Sequence, residues 1–285
     1  MRLLVTGAAG RLGRDLIRLA SKKYFIRAFD LPEVSFQSIE EVENVEIFRG
    51  DITSLEDVQE AACGVDGAIH LAAILPPKSE RDKTQTMKVN LEGTCNLVEV
   101  LREKPKVPLI FASSVSVYGV TAHEHPPIRE DHVLQAHSLY SESKIEAERV
   151  VKESGIPHVI LRISAISVAD LVELPDVIPF RTDQRVEFIF VEDAAHALLS
   201  AFERRAALNG VYNISGGASW QTTGEKYIRS FYNALGVEVE PNFSKNYTDL
   251  DWYETNRSRF LNYQRTSFND LLNRLRIVGE KLGLR

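Results

Sequence analysis

Short apolar runs alternate with amphipathic segments along the first part of the chain. The runs are three to five residues long and predict strands near 3–5, 25–29, 45–48, 67–71, 109–112 and 159–161. The segments between them carry apolar residues at helical spacing, most regularly over 91–101 and 140–153. This β-α-β-α order predicts a parallel sheet that is covered by helices on both faces.

The pattern becomes less regular in the second part of the chain. Residues 166–186 contain prolines and few periodic signals. Further on, the apolar spacing predicts strands near 188–191 and 211–214 and helices near 222–235 and 267–282. This part of the chain therefore combines an irregular stretch with a few regular elements.

Together these patterns predict an α/β fold, a Rossmann-type doubly wound parallel sheet with a small C-terminal substrate-binding cap. We expect a dinucleotide-binding domain over residues 1–165. A mixed region over 166–285 is expected to hold the cap and the strands and helices that complete the core. Ligands of such sheets bind at the carboxyl ends of the strands.

The bulk composition, 44% hydrophobic and 26% charged residues, is typical of a soluble globular protein. The formal net charge of −6 argues against binding along a nucleic-acid backbone. No apolar run is long enough to span a membrane and no signal peptide is evident, so a cytoplasmic location is expected. The two cysteines, Cys63 and Cys95, are expected to be buried thiols in a reducing compartment and not a disulfide.

Three glycines lie between the first predicted strand and the first predicted helix, at Gly7, Gly10 and Gly13. Glycine at this spacing allows a tight turn, a close approach of the backbone to a pyrophosphate and close helix packing. The amino end of the following helix offers free N–H groups and a positive dipole to the phosphates. A purely structural turn is the alternative explanation.

Acidic residues at the ends of the second and third strands extend this pattern. Asp30 can accept hydrogen bonds from both adenosine ribose hydroxyls and would repel a 2′-phosphate, which favours NAD over NADP. The alternative is an ordinary strand-end aspartate, and Arg11 could in principle favour a phosphate. Asp51 could contact the adenine amino group or could form a turn at the start of a helix.

A tyrosine and a lysine lie four residues apart, at Tyr140 and Lys144, and therefore share one face of a helix. The lysine ammonium is expected to lower the pKa of the tyrosine, which could then serve as a general base or acid. Serines at the end of the fifth strand, Ser113 and Ser114, could hydrogen-bond the substrate oxygen. A helix surface pair and turn-forming serines are the alternatives.

The chain resembles the extended short-chain dehydrogenase/reductase family, in its NAD-dependent epimerase/dehydratase group. The matching pieces occur in the family's order and cover roughly residues 1–215; they are Gly7-Gly10-Gly13, Asp30, Gly50-Asp51, His70 to Ala73, Asn90, Ser113 to Gly119, Tyr140 with Lys144, Leu161-Arg162, Val191 to Asp193 and Tyr212-Asn213. The resemblance implies that Ser114, Tyr140 and Lys144 are catalytic and that NAD is the cofactor. It also implies cofactor contacts from Gly7, Gly10, Arg11, Leu12, Gly13, Asp30, Asp51, Ile52, Leu71, Ala72, Ala73, Asn90, Tyr140 and Lys144. For Asn90, a buried hydrogen bond between helix and strand is an equal alternative.

The chain departs from the family pattern in three ways. Ala165 lies where sugar-nucleotide enzymes usually carry an asparagine after the sixth strand, and the stretch from Arg162 to Val191 is shorter than their nucleotide-binding insertion. Val115-Ser116 replaces the Asp-Glu pair of the dehydratases, which serves as proton donor and base.

We therefore expect reversible, NAD-dependent oxidation of a secondary alcohol in a small, polar, sugar-like substrate. A sugar-nucleotide epimerase similar to UDP-glucose 4-epimerase is the first alternative, and a non-catalytic dinucleotide-binding sensor is the second. The resemblance also implies a homodimer formed through the helices near 91–103 and 140–154. No metal site is expected.

Two further features have open interpretations. The segment 75–85, with two prolines and mixed charges, could be a lid over the substrate or a solvated connection. Arg181 and Arg185 could bind an anionic substrate or could lie on the surface.

Overall fold

The protein is described here by a computed structural model that covers residues 1–170 and 174–284. The strands are β1 (Arg2–Thr6), β2 (Phe25–Asp30), β3 (Val45–Arg49), β4 (Gly67–His70), β5 (Leu109–Ser114), β6 (His158–Ile163), β7 (Ala165–Ser167), β8 (Arg185–Val186), β9 (Phe188–Phe190), β10 (Gly210–Ile214) and β11 (Thr222–Thr223). The helices are α1 (Arg11–Ala20), α2 (Leu55–Ala61), α3 (Lys83–Met87), α4 (Gly93–Arg102), α5 (Leu139–Glu153), α6 (Val191–Glu203), α7 (Gly224–Leu235) and α8 (Phe268–Lys281).

Seven strands form one parallel sheet in the order β10-β6-β5-β4-β1-β2-β3. The strand order reverses between β1 and β4, and in doubly wound sheets ligands bind in the crevice at this point. The prediction of a Rossmann-type doubly wound sheet is confirmed. The seventh strand, β10, comes from the second part of the chain, so both parts contribute to the sheet.

Two apolar layers cover the sheet, one on each face. On one face Leu16 and Ile17 of α1 pack with Leu198 of α6, and on the other Leu97 of α4 packs with Val151 of α5. All five side chains are fully buried. Their helical spacing follows from the amphipathic pattern of the sequence, because each helix buries one stripe of apolar residues.

The second part of the chain adds a separate aromatic cluster beside the sheet. Trp220 packs against Phe268 of α8, and Phe268 stacks on Tyr227 of α7. Two short sheets, β7 with β9 and β8 with β11, connect this cluster to the carboxyl ends of the main strands. Of these four strands only β9 was predicted, near 188–191, because the others have two or three residues and no readable alternation.

Two sequence-based expectations need correction in this fold. The helix expected from residue 91 begins earlier, because α3 continues through a π-helical turn at Lys88–Glu92 directly into α4. The cysteines are both free but not buried: Cys63 is exposed and Cys95 is half-buried. Cys63 follows the end of α2, where its carbonyl accepts a hydrogen bond from Arg27 and its side chain stays outside the core.

Candidate active site

The glycine turn between β1 and α1 lies against the segment that follows β4. Gly7 has a φ of +69°, and a Cβ there would lie 2.7 Å from the amide nitrogen of Ala72. A Cβ on Gly13 would overlap the carbonyl oxygen of Gly7. Gly10 caps α1 without a side chain, and the first turn of α1 contains no acidic residue. The turn therefore fits an anionic pyrophosphate, which needs free amides and no competing carboxylate.

Asp30 lies at the end of β2 beside this turn. Its Oδ2 accepts a hydrogen bond from the Ala9 amide at 2.9 Å, and its Oδ1 accepts one from the Leu31 amide at 2.9 Å. A carboxylate has about four lone-pair sites, so further donors can still bind to it. Arg11 is exposed and forms an ion pair with Asp170, which already neutralises the charge that could favour a 2′-phosphate.

Among the other predicted cofactor residues, Asp51 is half-buried and Ile52 is buried. The Oδ1 of Asp51 accepts the Thr53 amide at 2.8 Å, which is the geometry of the turn alternative. Ile52 is buried against Gly93, where a Cβ would lie 2.9 Å from its side chain. Half-buried residues border the crevice between β1 and β4; they are Leu12, Leu71, Ala72 and Ala73.

A buried histidine ties the ends of β1 and β4 together. The Thr94 hydroxyl donates its hydrogen to the carbonyl of Asn90 at 2.7 Å. It must therefore act as the acceptor in its second hydrogen bond, with His70 Nε2 at 3.1 Å. Nε2 therefore carries the hydrogen, and Nδ1 accepts from the Thr6 hydroxyl at 2.6 Å. Burial, together with the charge of Lys144, lowers the pKa of His70 to about 3, so the imidazole is neutral.

The hydroxyl of Thr6 completes this network at the cofactor side of the crevice. Its oxygen accepts hydrogen bonds from the amides of Leu71 and Ala72, both at 3.2 Å. The same segment faces the glycine turn at Gly7. His70 and Thr6 thus fix the distance between the glycine turn and the segment after β4.

Asn90 is buried in the π-helical turn behind this segment. Its Oδ1 accepts the Ile74 amide at 2.7 Å, and its Nδ2 donates to the Ile74 carbonyl at 3.1 Å and to Ser143 at 3.0 Å. These contacts are those of a buried residue that bonds the helix to the loop after β4. They leave the Asn90 side chain behind the crevice and not in it.

The two serines at the end of β5 point in different directions. Ser113 is buried and donates to Glu148 at 2.7 Å. Ser114 is half-buried, accepts the Ser116 amide at 3.1 Å and acts on the Tyr140 phenol, whose pKa it lowers against the effect of burial. Successive residues of a strand face opposite sides, so only one serine can reach the crevice.

Helix α5 places Tyr140 and Lys144 on the face that meets β5. The helix begins with a capping box formed by Ser138 and Ser141, which satisfies first-turn amides. The Nζ of Lys144 donates to the Ala112 carbonyl at 2.8 Å and lies 5.8 Å from the centre of the Tyr140 ring. The sequence-predicted trio of Ser114, Tyr140 and Lys144 is therefore brought together at the carboxyl end of β5.

The expected effect of the lysine on Tyr140 is wrong for this arrangement. Burial raises the pKa of Tyr140 well above 10, the charge of Asp249 raises it further, and the hydrogen bond with Ser114 only partly opposes this. Burial also lowers the pKa of Lys144 to about 8, against the opposing charge of Glu148. Tyr140 is therefore a neutral phenol, because burial destabilises the charged phenolate by more than the nearby lysine stabilises it.

Glu148 supports the helix from behind the site. It is fully buried and accepts two hydrogen bonds from Arg162 of β6, at 2.9 and 2.7 Å, besides the bond from Ser113. The hydrogen bonds and charge of Arg162 outweigh burial and lower the pKa of Glu148. This buried pair locks α5 to β5 and β6, one helical turn beyond Lys144.

Two residues near Tyr140, Glu80 and Asp249, were missed by sequence reasoning. Glu80, from the short helix Lys78–Glu80, accepts the amides of Leu139 at 2.9 Å and Tyr140 at 3.1 Å. Asp249 lies 3.9 Å from His137, measured from Oδ1 to Nε2. No periodicity marks such positions, although a lone Glu in the predicted loop 75–85 could have suggested a cap for the helix.

The arginines considered for an anionic substrate are both paired. Arg185 binds the buried Asp251 through two hydrogen bonds, at 2.6 and 2.9 Å. Arg181 binds Asp183 at 2.7 and 2.8 Å on the surface.

Within residues 1–170 and 174–284, no group of three or more His, Cys, Asp and Glu side chains is arranged to hold a metal ion. Nor is any helix in that part both long and apolar enough to cross a membrane.

Comparisons with known proteins give relatives of several specificities. The chain is 31% identical over 157 residues to a 3 beta-hydroxysteroid dehydrogenase/Delta 5-->4-isomerase of Monkeypox virus, covering 53% of this chain and 45% of that protein. It is 30% identical over 184 residues to D-erythronate dehydrogenase of Cupriavidus necator, covering 59% of this chain and 56% of that protein. The chain thus spans about half the length of the curated relatives it matches.

Solved structures match over nearly the whole chain. UDP-glucose 4-epimerase of Thermotoga maritima superposes with a TM-score of 0.85 at 21% identity, covering 99% of both chains. UDP-glucuronic acid 4-epimerase of Bacillus cereus, in complex with UDP-glucuronic acid and NAD, gives 0.85 at 24% identity, covering 99% of this chain and 100% of that one. Because the sequence identities are below 25%, these matches show that the chain shares the fold of the two enzymes and nothing more.

A sequence model of one family covers most of the Rossmann part of the chain. The NAD dependent epimerase/dehydratase family matches residues 3–170, from the first strand to just beyond β7. That range contains the glycine turn, Asp30 and the trio of Ser114, Tyr140 and Lys144. The resemblance seen in the motifs is thereby confirmed, together with the NAD dependence of the family. The chain belongs to the NAD dependent epimerase/dehydratase family.

Proposed function

We propose that the protein is an NAD-dependent oxidoreductase that interconverts a secondary alcohol and a ketone in a small polar substrate. The observation that carries this proposal is the meeting of three side chains at the carboxyl end of β5, where the Nζ of Lys144 lies 5.8 Å from the centre of the Tyr140 ring and Ser114 interacts with the Tyr140 phenol. Ser114 ends β5 and Tyr140 lies in the first turn of α5, and β5 neighbours β4, which borders the crevice where the sheet order reverses. A dinucleotide on the glycine turn would reach the same crevice.

Tyr140 is the proton-transferring residue in this proposal. As a neutral phenol it can donate its proton to the carbonyl oxygen of a ketone, and Ser114 can donate a hydrogen bond to the same oxygen. In the opposite direction Tyr140 must first lose its proton before it can accept one from the alcohol. Bound NAD supplies the acceptor or donor of the hydride. The neutral phenol therefore already carries the proton that reduction of a ketone requires.

The cofactor is held, in this proposal, by the glycine turn and the residues that border it. Gly7, Gly10 and Gly13 with the amino end of α1 hold the pyrophosphate, and Asp30 accepts from the adenosine ribose. Lys144 donates to the nicotinamide ribose. The lining contacts are assigned to Leu12, Leu71, Ala72 and Ala73. The ion pair between Arg11 and Asp170 supports a preference for NAD over NADP, because it occupies the arginine that follows the glycine turn.

A panel of secondary alcohols and ketones, monitored by NADH absorbance with NAD and NADP in parallel, tests this function. Net formation or consumption of NADH with a free sugar or hydroxy compound supports the oxidoreductase. Interconversion of UDP-sugars without net NADH would support the epimerase instead. Cofactor binding without turnover on the whole panel would leave a dinucleotide-binding sensor.

We also propose a cytoplasmic homodimer whose domains divide near residue 165. The two free cysteines agree with a reducing compartment. Half-buried apolar side chains of α5, Ile145 and Val150, are available for pairing with a second copy. Light scattering after size-exclusion chromatography tests the dimer, and a monomer at micromolar concentration would contradict it.

A further inference from the structure

The segment 248–251 brings one carboxylate to the edge of the proposed active site. Asp249 lies beside His137, three residues before Tyr140, with 3.9 Å between Oδ1 and Nε2. Its side chain keeps 26% of its surface exposed. Among the described residues, His137 is its one basic partner, and the distance exceeds that of a hydrogen bond. The carboxylate therefore has unused acceptor capacity in the mouth of the crevice.

The backbone around Asp249 is held firmly by buried side chains. Gln184, which is 1% exposed, donates to the carbonyls of Thr248 at 3.0 Å and Leu250 at 2.9 Å, on either side of Asp249. The hydroxyl of Tyr253 donates to the Asp249 carbonyl at 2.9 Å. These contacts use the backbone and leave the Asp249 carboxylate free of a structural task. A segment fixed in this way presents the side chain in a single place.

The electrostatics agree with a position close to the reacting groups. Burial raises the pKa of Asp249, and the neighbouring His137 opposes this rise. The charge of Asp249 in turn adds to the effect of burial on Tyr140. A poorly partnered carboxylate in a cleft beside a proton-transferring residue is typical of a substrate contact.

We propose that Asp249 is a specificity-determining residue that accepts a hydrogen bond from a substrate hydroxyl next to the reacting carbon. This inference rests on the proposed oxidoreductase function. The site then takes neutral polyhydroxy compounds and rejects those that carry a carboxylate or phosphate at that position, since like charges repel across a short distance. Arg185, which the sequence suggested for an anionic substrate, is already bound to Asp251.

The test compares wild type with Asp249→Asn, which keeps the shape and removes the charge. Asp183→Asn, at the exposed ion pair with Arg181 in the same part of the chain, is the matched control. The probes are glucose, galactose, glucuronic acid, galacturonic acid and UDP-glucose, with kcat and KM measured at saturating NAD. We expect Asp249→Asn to lose about tenfold in kcat/KM on the neutral sugars, mainly through KM. Its preference for neutral over acidic sugars should shrink by a similar factor, and Asp183→Asn should resemble wild type.

Two results would overturn the inference while the oxidoreductase stands. One is a wild-type enzyme that turns over the uronic acids or UDP-glucose better than the neutral sugars. The other is an unchanged neutral-to-acidic preference in Asp249→Asn. Calorimetric binding of the same sugars to the protein saturated with NADH separates the two proposals. Neutral sugars that bind without turnover, and bind about tenfold more weakly to Asp249→Asn, would remove the oxidoreductase and still support Asp249 as the acceptor for a sugar hydroxyl. Absence of binding by both neutral sugars would overturn the inference.

Discussion

The two sides of the crevice are stabilised by buried networks of different charge. On the cofactor side, neutral hydrogen bonds join Thr6, His70 and Thr94 at the ends of β1 and β4. On the substrate side, the buried groups are carboxylates: Asp251, paired with Arg185, and Glu187, which is fully buried and accepts the amides of Gly217 and Tyr253. Neutral groups that are hydrogen-bonded to one another cost much less to bury than carboxylates, which need charged partners or several donors.

This difference separates a constant part of the site from an adjustable one. The neutral network fixes backbone amides around a glycine turn, and its geometry does not depend on the protonation of a side chain. The charged network gathers residues from several loops, and its members can be exchanged to change the charge of the substrate pocket. Tyr140 lies where the two networks meet, so its surroundings combine both.

The largest effect is expected from Tyr140→Phe, which removes the hydroxyl at this junction. We expect kcat/KM to fall by about 10²–10⁴-fold, the usual contribution of a general acid or base. The Kd for NADH should stay within about twofold, because the glycine turn is unchanged. Steady-state kinetics and fluorescence titration of NADH measure the two quantities. Tyr247→Phe, which removes a phenol hydroxyl bonded to Asp183 on the surface, is the control. Wild-type rates in Tyr140→Phe would remove the residue from the mechanism.

A second substitution, Gly7→Ala, breaks only the cofactor side. The new Cβ would be strained by the φ of +69° and would collide with the Ala72 amide. Gly155→Ala has the same kind of strain, with a φ of +76°, but nothing lies within 4 Å of its Cβ. We expect both variants to lose about 1 kcal/mol of stability from the strain. Only Gly7→Ala should also weaken NADH binding, by about tenfold or more, in a fluorescence titration. Equal NADH affinities in the two variants would mean that the turn does not hold the cofactor.

The cofactor side could be predicted from sequence because its residues are ordered along the chain. Gly7 and Asp30 each follow a strand directly, so finding the strands also finds the residues. The four-residue spacing of Tyr140 and Lys144 is likewise local, because both lie on one helix. The main strands and helices were predicted for the same reason, since each buries a stripe or face of its own sequence.

The substrate side could not be predicted in this way. Asp249 reaches Tyr140 only through the packing of loops that are far apart in sequence, and neither loop has a period. Which of Ser113 and Ser114 faces the crevice could be decided only from the family pattern or from the directions of the two side chains in the structure. The pKa of Tyr140 could not be predicted either, because it depends on burial, which the spacing of Tyr140 and Lys144 does not reveal.

The contrast in charge predicts opposite pH effects on stability for the two sides. The pKa of His70 is lowered to about 3, so below pH 6.5 the unfolded chain binds a proton that the folded protein does not. Its contribution is therefore lost as the pH falls from 6.5 towards 3. Burial raises the pKa of Glu187 to about 7, so its contribution is present below pH 4.5 and lost as the pH rises through 7.

Urea unfolding at pH 7 and pH 5 measures both contributions in His70→Gln and Glu187→Gln. Over this interval wild type should lose about 2 kcal/mol through His70 and gain about 2 kcal/mol through Glu187. His70→Gln should therefore become relatively more stable at pH 5 than wild type, and Glu187→Gln relatively less stable. Parallel pH dependences in all three proteins would show that neither group keeps the stated pKa in the fold.

The smallest effect is expected where the two sides are joined, at Glu80. This carboxylate comes from the loop after β4 but accepts the amides of Leu139 and Tyr140 on α5, so Glu80→Ala leaves both without that acceptor. An acidic group at the amino end of a helix contributes up to about 1 kcal/mol, and urea unfolding should show a loss of that size.

The rate is the more informative readout for this residue. Because Tyr140 lies in the first turn of α5, a looser first turn should lower kcat about twofold to fivefold and leave the NADH Kd unchanged. Glu142→Ala removes a carboxylate from the same turn that pairs with exposed Lys83, and it should change kcat by less than about twofold. If Glu80→Ala also leaves kcat unchanged, the capping box of Ser138 and Ser141 suffices to position Tyr140, and the loop after β4 serves the cofactor side alone.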